Sequence, residues 1–457
     1  MRRILFALPL LVTGCDLTPH YLRPAIDAPP TWPTGAAYAP TTNQPAGLPW
    51  RTVMGGARLR TLIEQALANN QNLAATVANV AEARAQYRVQ RSSQLPTVSA
   101  NAGATVDRSI TNTTGNTQTF AANVGISSFE IDLFGRLKNL SKAAFQQYLA
   151  TDAGMRSARI LLIAETASAY LTFASDRDLL GVAQETLKSG NRSLALTQSL
   201  HAAGLVAGTD VADAETVVAQ AQSDVEQFTT QLAQDRNALT LLVGTPVTDT
   251  QLPTSLGDLD GTVALVPAGL SSTVLLQRPD VVQAEHALEG ANANIGAARA
   301  AFFPTISLTG ILGFASTALG ALFTGGALGA SGASAATLPI LGGANRGNLD
   351  YAKAQRDYAL AMYRYTIQTA FREVADELAR RGTIDTQRAA QARLVAAAST
   401  SYRLADEQYR IGTSTFLAAL IAQRTLYAAQ QTQIAITLAD LQNRVALYQF
   451  IGADGGA

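Results

Sequence analysis

Cysteine, charge and aromatic residues are all scarce in this chain. Its 457 residues include a single cysteine, Cys15, which excludes a disulfide framework and a zinc site built on cysteines. Charged residues make up 15% of the chain, against roughly 25% in an average soluble protein, and 34 basic residues balance 34 acidic ones. Without a basic excess to neutralise phosphates, nucleic acid is not an expected partner.

Long apolar runs and proline are missing from most of the chain. After residue 15 no uninterrupted run of 18 or more apolar residues occurs, so no transmembrane helix is predicted. Proline is absent from 97–245 and 340–457, which permits helices far longer than the globular average. Eight of the sixteen prolines instead lie between Pro19 and Pro49, which indicates an extended N-terminal arm.

The first residues have the layout of an export signal. Two arginines precede a nearly continuous apolar segment, Ile4 to Val12, and small residues then lead to Cys15. The prolines that follow break any continuing helix, which argues against an ordinary N-terminal helix. The sequence LVTGC resembles a lipobox, in which the cysteine receives a lipid. We therefore predict a signal peptide at 1–14, lipid attachment at Cys15 and a Pro-rich arm at 15–55.

An internal repeat organises the rest of the chain. Three separated segments recur 208 residues later. The pairs are 94–99 with 302–307, Gly204 with Gly412, and 242–244 with 450–452. Separated matches at one offset indicate two copies of one unit. We predict one repeat at 56–250 and a second at 251–457.

Each copy is predicted to contain a helix, a pair of strands and two long helices joined by a turn. Apolar residues recur at helical spacing from Leu59 to Ala81, and Pro96 ends the pattern. From Leu137 to Ala203 the chain permits one helix of about 65 residues, on the order of 100 Å long. Between Leu417 and Tyr448 the seam residues, which include Arg424 and Tyr427, recur at spacings of three and four, the heptad pattern of a coiled coil.

Alternating polarity predicts the strands. Residues 98–107 alternate strictly between apolar and polar side chains, and 120–126 alternate on the return. In the second copy 305–314 alternates in the same way, whereas a return strand near 337–341 is weakly patterned. We interpret the Ala/Gly-rich stretch 315–336 between them as a loop.

The strands have the length and pattern of an outer-membrane barrel. One chain offers four strands, and the smallest barrels use about eight, so several copies must be pooled, and a trimer would supply twelve. Asn101, Thr105, Asp107 and Asn123 would then line a water-filled lumen. A soluble sheet with one exposed face would alternate in the same way, but the export signal, the lipid anchor and the long helices favour the pore. The predicted fold class is mainly α with a membrane β-barrel.

The sequence contains no constellation typical of an enzyme. His20, His201 and His286 lie far apart without metal-ligand spacing, and the glycines do not form a phosphate-binding loop between a strand and a helix. We predict no catalytic residue, no metal and no cofactor, so the energy for transport must come from a partner.

Seven segments spread along most of the chain carry a family resemblance. They are Pro19–Pro24, Phe129–Leu137, Leu276–Asp280, Gly296–Pro304, Leu349–Lys353, Phe371–Asp376 and Tyr409–Gly412. In this order they resemble the TolC-like outer membrane factor family, in its OprM-like lipoprotein branch. Members of that branch are the outer-membrane components of resistance-nodulation-division multidrug efflux pumps.

The resemblance implies a homotrimer in the outer membrane, with a twelve-strand barrel and an α-helical periplasmic tunnel. The trimer would be a passive exit duct for drugs and other small toxic molecules. Its partners would be a periplasmic membrane fusion (adaptor) protein, an inner-membrane resistance-nodulation-division transporter and outer-membrane lipid. The alternatives are the same channel serving metal ions or secreted polypeptide, or a lipoprotein scaffold of coiled-coil arms without a pore.

By the same resemblance the two helical turns form closed periplasmic tips that open when the adaptor docks. These turns are Gly204 to Asp210 and Gly412 to Phe416, and each begins with a glycine that can end a helix at positive φ. Tyr409 and Arg410 would form hydrogen bonds across the tip as part of a gate.

Acidic residues complete the predicted gate. By resemblance Asp210 and Asp213 are candidates for carboxylates that repel anions and bind cations, although an aspartate near a helix N-terminus also stabilises the helix dipole. Ile421 stands where some relatives carry a further aspartate, so this gate would be less acidic. Asp16, directly after the cysteine, would retain a lipoprotein in the inner membrane of enteric bacteria. Either the host sorts differently or the barrel overrides that signal.

Overall fold

The computed structural model describes residues 16–25, 28–38, 49–107, 117–266, 271–341 and 343–451. The predicted signal peptide and the predicted lipid attachment residue Cys15 lie outside these ranges. Within them, no helix combines the length and the apolar character that crossing a bilayer would require.

The described residues form eight α-helices and four β-strands, and both copies of the repeat share the order helix, two strands, two long helices, which α1 and α2 precede in the first copy. The elements are α1 Trp50–Val53, α2 Ala57–Asn69, α3 Gln71–Ser92, β1 Val98–Asp107, β2 Thr117–Ile131, α4 Arg136–Ala202, α5 Gly208–Val243, α6 Pro279–Ala300, β3 Thr305–Ser316, β4 Leu328–Thr337, α7 Gly343–Arg410 and α8 Phe416–Ile451. Helices α4 and α7 contain 67 and 68 residues, in agreement with the long helices predicted from the absence of proline.

The four strands form one antiparallel sheet in the order β1-β2-β3-β4. Each copy contributes a hairpin, and the central pairing of β2 with β3 joins the two copies. The β1–β2 pairing runs from Val98 opposite Ile126 to Asp107 opposite Thr117. Antiparallel hairpins of this kind need only local connections, so each copy builds its own half of the sheet.

The interpretation of 315–336 as a loop is wrong for its second half. Strand β4 lies at Leu328–Thr337 and shares only Thr337 with the stretch 337–341 where the weak return strand was predicted. It consists largely of Gly, Ala and Ser, whose small side chains give no hydrophobic alternation for a pattern to detect. The strand forms because its backbone pairs with β3, from Phe314 opposite Leu328 to Thr305 opposite Thr337.

Packing divides the described residues into two compact units, and each contains parts of both repeats. The first unit holds the sheet and comprises residues 16–25, 79–107, 117–152, 283–341 and 343–364. The second holds the two helical turns and comprises residues 28–38, 49–78, 153–266, 271–282 and 365–451.

In the first unit residues 16–25 form neither helix nor strand and contact α4 and α6. The Thr18 hydroxyl donates to Asn139 Oδ1 at 2.6 Å, and the Asn292 amide donates to the Pro19 carbonyl at 2.9 Å. Gly296 allows this approach, because a Cβ at that position would lie 2.5 Å from Thr18 Oγ1 and 2.9 Å from Thr18 Cα. The arm is therefore held by specific contacts.

In the second unit a buried carboxylate organises three arginines. Asp440, whose side chain is 0% exposed, accepts hydrogen bonds from Arg388 at 2.6 Å, from Arg444 at 2.7 Å and from Arg381. Asp260 also pairs with Arg388 and Arg444. Burial raises the pKa of Asp440, but the hydrogen bonds and charges of Arg444 and Arg381 outweigh burial, so the pKa lies below its ordinary value.

We expect Asp440→Asn to lower the free energy of unfolding by about 3–5 kcal/mol, because it removes the buried carboxylate that three arginines share and leaves them only the exposed carboxylates of Asp260 and Asp385. Asp385→Asn is the matched control, since Asp385 also pairs with Arg381 but its side chain is 71% exposed, and its cost should stay below about 1 kcal/mol. Denaturant unfolding measures both.

The same pair of variants tests the pH dependence. A carboxyl group whose pKa is lower in the folded than in the unfolded protein stabilises the fold at pH values above the unfolded pKa, which is 3.8 for aspartate. That stabilisation is lost as the pH falls through the pKa of the folded state. The difference in unfolding free energy between wild type and Asp440→Asn should therefore be constant near neutral pH and become smaller below about pH 4. A difference that is the same at pH 7 and pH 3 would show that the charge of Asp440 is not the stabilising element.

Candidate functional site at the two helical turns

Both helical turns use the same backbone geometry. Gly204 and Gly412 adopt φ values of +73° and +77°, as predicted for glycines that end helices. Beyond each glycine the next amide returns to the helix, from Leu205 to the Leu200 carbonyl and from Thr413 to the Gln408 carbonyl, both at 2.9 Å. A residue with a side chain would be strained at either glycine, so the turn explains why both copies keep it.

A buried apolar cluster brings the ends of four helices together. Its members come from α4, α5, α7 and α8, and all lie within three turns of helix from a connection. They are Ala214, Val217, Tyr409, Phe416, Ala419 and Leu420, with Leu194, Leu196, Leu200 and Ala405 packed against them. The two turns of the repeat therefore lie at one end of the same helical bundle.

Tyr409 links the two helical hairpins, α4–α5 and α7–α8, by a buried hydrogen bond. Its ring lies 5.4 Å from the ring of Phe416, and its hydroxyl lies 2.8 Å from Thr197 Oγ1 on α4. The Thr197 hydroxyl already donates to the Ser193 carbonyl at 2.8 Å, so the Tyr409 hydroxyl must be the donor in the bond between them. A buried polar pair of this kind specifies the distance between α4 and α7.

The other predicted gate residues are arranged differently. Arg410 pairs with Asp406 of its own helix at 3.0 Å, so within one chain its guanidinium forms an intrahelical pair, whereas a bond across the tip was expected. Asp210 lies in the first turn of α5 and Asp213 lies one turn later. Both are half-buried, and neither carboxylate has a hydrogen-bond or ion-pair partner among the described residues. Their role in a gate stays a prediction.

A polar layer joins α5 and α8 farther from the turns. The Arg424 guanidinium donates to Thr216 Oγ1 at 3.0 Å, and the Tyr427 hydroxyl donates to Asp224 at 2.6 Å. Burial, together with the Asp224 hydrogen bond and charge, raises the pKa of Tyr427. A cavity of about 330 Å³ lies beside this layer, lined in part by Gln220.

Sequence reasoning placed Arg424 and Tyr427 in the heptad seam but did not recognise the polar layer. Its signal was the occurrence of polar side chains at seam positions that usually hold apolar residues. Thr216 and Arg424 are also separated by 208 residues, which is the repeat offset.

The histidines do not come together. His201 Nδ1 lies 2.9 Å from the Val206 carbonyl in the first turn, and His286 Nδ1 lies 2.7 Å from Gln146 Oε1. Among the residues that the structure describes, no group of three or more His, Cys, Asp or Glu side chains is arranged to hold a metal ion.

The sheet in the first unit has the two faces that the alternation predicted. Asn101 lies opposite Asn123, and Thr105 and Asp107 lie opposite Thr119 and Thr117, so these polar residues share one face. The other face carries apolar side chains that are largely exposed. They include Val98 (64%), Val106 (57%), Val124 (51%), Leu308 (40%) and Leu312 (58%). An apolar surface of this kind marks contact with a partner or a lipid phase.

A family model described as "Outer membrane efflux protein" matches residues 62–245 and 270–453. The chain belongs to this family. The two matched segments are offset by 208 residues, so the outer membrane efflux protein contains the tandem repeat that the sequence predicted.

Relatives of this efflux protein cover nearly its full length. The toluene efflux pump outer membrane protein TtgC of Pseudomonas putida is 41% identical over 452 residues, which are 97% of this chain and 93% of the relative. The outer membrane protein OprJ of Pseudomonas aeruginosa is 38% identical over 455 residues, 98% of this chain and 94% of the relative.

A solved structure extends the comparison to the fold. The open state of the Neisseria gonorrhoeae MtrE outer membrane channel is 33% identical and superposes with a TM-score of 0.86, covering 96% of this chain and 98% of that one. The predicted fold class, long helices and four strands in two tandem repeats, is therefore confirmed as that of outer membrane efflux channels. The predicted outer-membrane location and efflux role are confirmed with it.

In this outer membrane efflux protein, Tyr409→Phe removes the buried hydrogen bond to Thr197 between the two helical hairpins and should weaken the association of these hairpins by about 1 kcal/mol. We expect a higher open probability in planar bilayers, and Thr197→Val should add little to it because both substitutions break one bond. Tyr358→Phe is the control on the same helix, since Tyr358 is 70% exposed. Equal open probabilities in wild type and Tyr409→Phe would exclude the bond from gating.

Proposed function

We propose that three copies of this chain form an outer-membrane channel, the passive exit duct of a tripartite efflux pump for drugs and other small toxic molecules. The supporting observation is the sheet. Strands β1 and β4 are its two edges, and nearly all of their residues are exposed. Inside a bilayer each unpaired backbone group costs several kcal/mol, so strands are stable there only in a closed barrel.

Pairing β4 of one copy with β1 of the next satisfies both edges, and three copies close a barrel of twelve strands. The apolar face then contacts lipid. The polar face, with Asn101, Thr105, Asp107 and Asn123, lines a lumen that water fills. The long helices continue from the strands as a periplasmic tunnel, with repeats at 56–250 and 251–457 contributing equal shares of the wall.

The lipid anchor supports the same placement. After removal of a signal peptide at 1–14, Cys15 receives the lipid. Asp16, the next residue, accepts a hydrogen bond from the Thr18 amide at 3.0 Å and lies 3.6 Å from Lys138 Nζ. The arm that begins at the lipidated Cys15 is therefore held against α4, close to the N-terminal end of that helix.

The two turns are the periplasmic tips of the duct. In the closed channel, the hydrogen bond between Tyr409 and Thr197 holds the two helical hairpins together, while Asp210 and Asp213 place negative charge near the periplasmic entrance of the duct. Docking of a periplasmic adaptor protein separates the hairpins, and solute then diffuses outward. The chain performs no chemistry and is not an enzyme, so an inner-membrane resistance-nodulation-division transporter supplies the energy.

The cargo class rests on the relatives. TtgC is named for a toluene efflux pump, and another relative of 41% identity from Pseudomonas putida, ArpC, is named for an antibiotic efflux pump. Small organic molecules are therefore favoured over metal ions and secreted polypeptide.

Adjacent positions on β3 test the barrel. Ser307 lies opposite Glu130 and Leu308 lies opposite Phe129, so their side chains point to opposite faces. In protein reconstituted into bilayers, Leu308→Cys should react with a lipid-phase probe and Ser307→Cys with a water-soluble probe. Cross-linking of the same samples should give a trimer. A monomer in which the water-soluble probe labels both positions equally would replace the channel with a soluble scaffold.

Neutralising the carboxylates at the tip tests whether they make the channel prefer cations. Asp210→Asn combined with Asp213→Asn should reduce the cation preference of the channel, because two fixed charges per copy are lost near its narrowest part. Reversal potentials in asymmetric KCl measure this. Glu226→Gln is the control, an exposed acid on the same helix about 20 Å from Asp213. If the control shifts the reversal potential as much as the double variant does, the tip is not the selective element.

A further inference from the structure

The connection between β3 and β4 folds back over the sheet and partly covers an open cavity. Phe323 in this connection meets Phe314 of β3 edge-on, with ring centroids 5.4 Å apart at 67°. Leu322 beside it is buried, whereas the Phe323 side chain is 72% exposed. A cavity of about 500 Å³ lies between Phe323 and the sheet, within the size range of small-molecule pockets.

Pairing of the strands explains the shape of this cavity. One row of residues crosses all four strands, with Ala102 opposite Ala122, Ala122 opposite Phe314 and Phe314 opposite Leu328. Residues directly opposite one another share a face, so two methyl groups lie beside two large side chains. The alanines leave a hollow, Phe314 and Leu328 form its side, and Phe323 covers it.

Charge is absent from every segment around the second hairpin. Between Arg299 and Arg346 the sequence contains no Asp, Glu, Lys or Arg, a stretch that includes β3, the connection and β4. The lining also includes Asn101 and Asn123, but the alternation of the strands directs both side chains to the opposite face of the sheet. The cavity therefore offers no ionic partner for a charged ligand, and the side chains that face it are apolar. The chemistry of the cavity fits a flexible hydrocarbon chain.

The position of the cavity indicates where that chain comes from. Phe314 is two residues from the end of β3, at the end of the sheet where β1 connects to β2. Helices α3 and α4 adjoin the opposite end. If the helices are periplasmic, as in the proposed function on which this step rests, the cavity lies on the lipid-facing side in the outer half of the membrane.

We propose that this cavity binds one acyl chain of an outer-leaflet lipid, with Phe323 as its cover. An acyl chain fits between the exposed Phe323 ring and the two alanines because every side chain that it would contact there is apolar. A chain held beneath Phe323 would also tie the β3–β4 connection to the wall of the barrel, so the site would stabilise the external rim of the channel.

The test uses the full-length trimer in vesicles of phosphatidylethanolamine and phosphatidylglycerol that contain a phosphatidylethanolamine with a diazirine in one acyl chain. After illumination, we expect cross-links to concentrate on residues 312–328. Ala102→Leu fills the hollow, and it should reduce these cross-links at least five-fold. Phe323→Ala removes the cover and should reduce them as well.

Leu319→Ala is the matched control. Leu319 belongs to the same connection and is 64% exposed, but it does not line the cavity, so its cross-links should equal those of wild type. Cross-links spread evenly over the apolar face and unchanged by Ala102→Leu would overturn the site and indicate annular lipid only.

Conductance of the same preparations separates this proposal from the channel itself. If the trimer conducts but the cross-links are spread evenly, only the acyl-chain site is wrong. If the protein gives no conductance and Leu308→Cys reacts from water, the sheet does not face lipid, and both proposals are overturned.

Discussion

Pairing of β2 with β3 is the contact on which the architecture depends, because it joins one hairpin from each repeat into a single sheet. A two-stranded hairpin alone is marginally stable, and four strands still leave two edges. Backbone groups at those edges must be satisfied by another copy wherever water is absent. The tandem duplication therefore provides half of the solution within one chain, and assembly provides the other half.

The repeat also explains why the two helical turns look alike but differ chemically. Glycines at equivalent positions give both turns the same backbone. The residue equivalent to Tyr409 in the first copy is His201, which bonds to the Val206 carbonyl within its own turn. Asp213 likewise corresponds to Ile421. One turn thus carries acidic residues, and the other carries the aromatic residue that contacts α4.

Prediction from the sequence succeeded where a periodic pattern was strong. Strand β1 was predicted at its observed bounds, and α4 was predicted within one residue at each end. It failed at β4, because Ala, Gly and Ser alternate too weakly in hydrophobicity for the pleat to be recognised. The bond between Tyr409 and Thr197 joins residues 212 positions apart, and no local pattern indicates such a partner.

By itself the sequence determined the tandem repeat, the helix lengths, the polar and apolar faces of three strands and the family. The first three follow from periods of 3.6 and 2 residues, from the absence of proline and from the 208-residue offset, and the family follows from the resemblance of seven short segments. All of these are local or repetitive signals. The tertiary structure alone decided which strands adjoin, which helix receives the Tyr409 hydroxyl, that Arg410 pairs within its own helix and that Phe323 covers a hollow above Ala102. Those outcomes depend on long-range packing, where the partner of a side chain is set by the arrangement of whole elements.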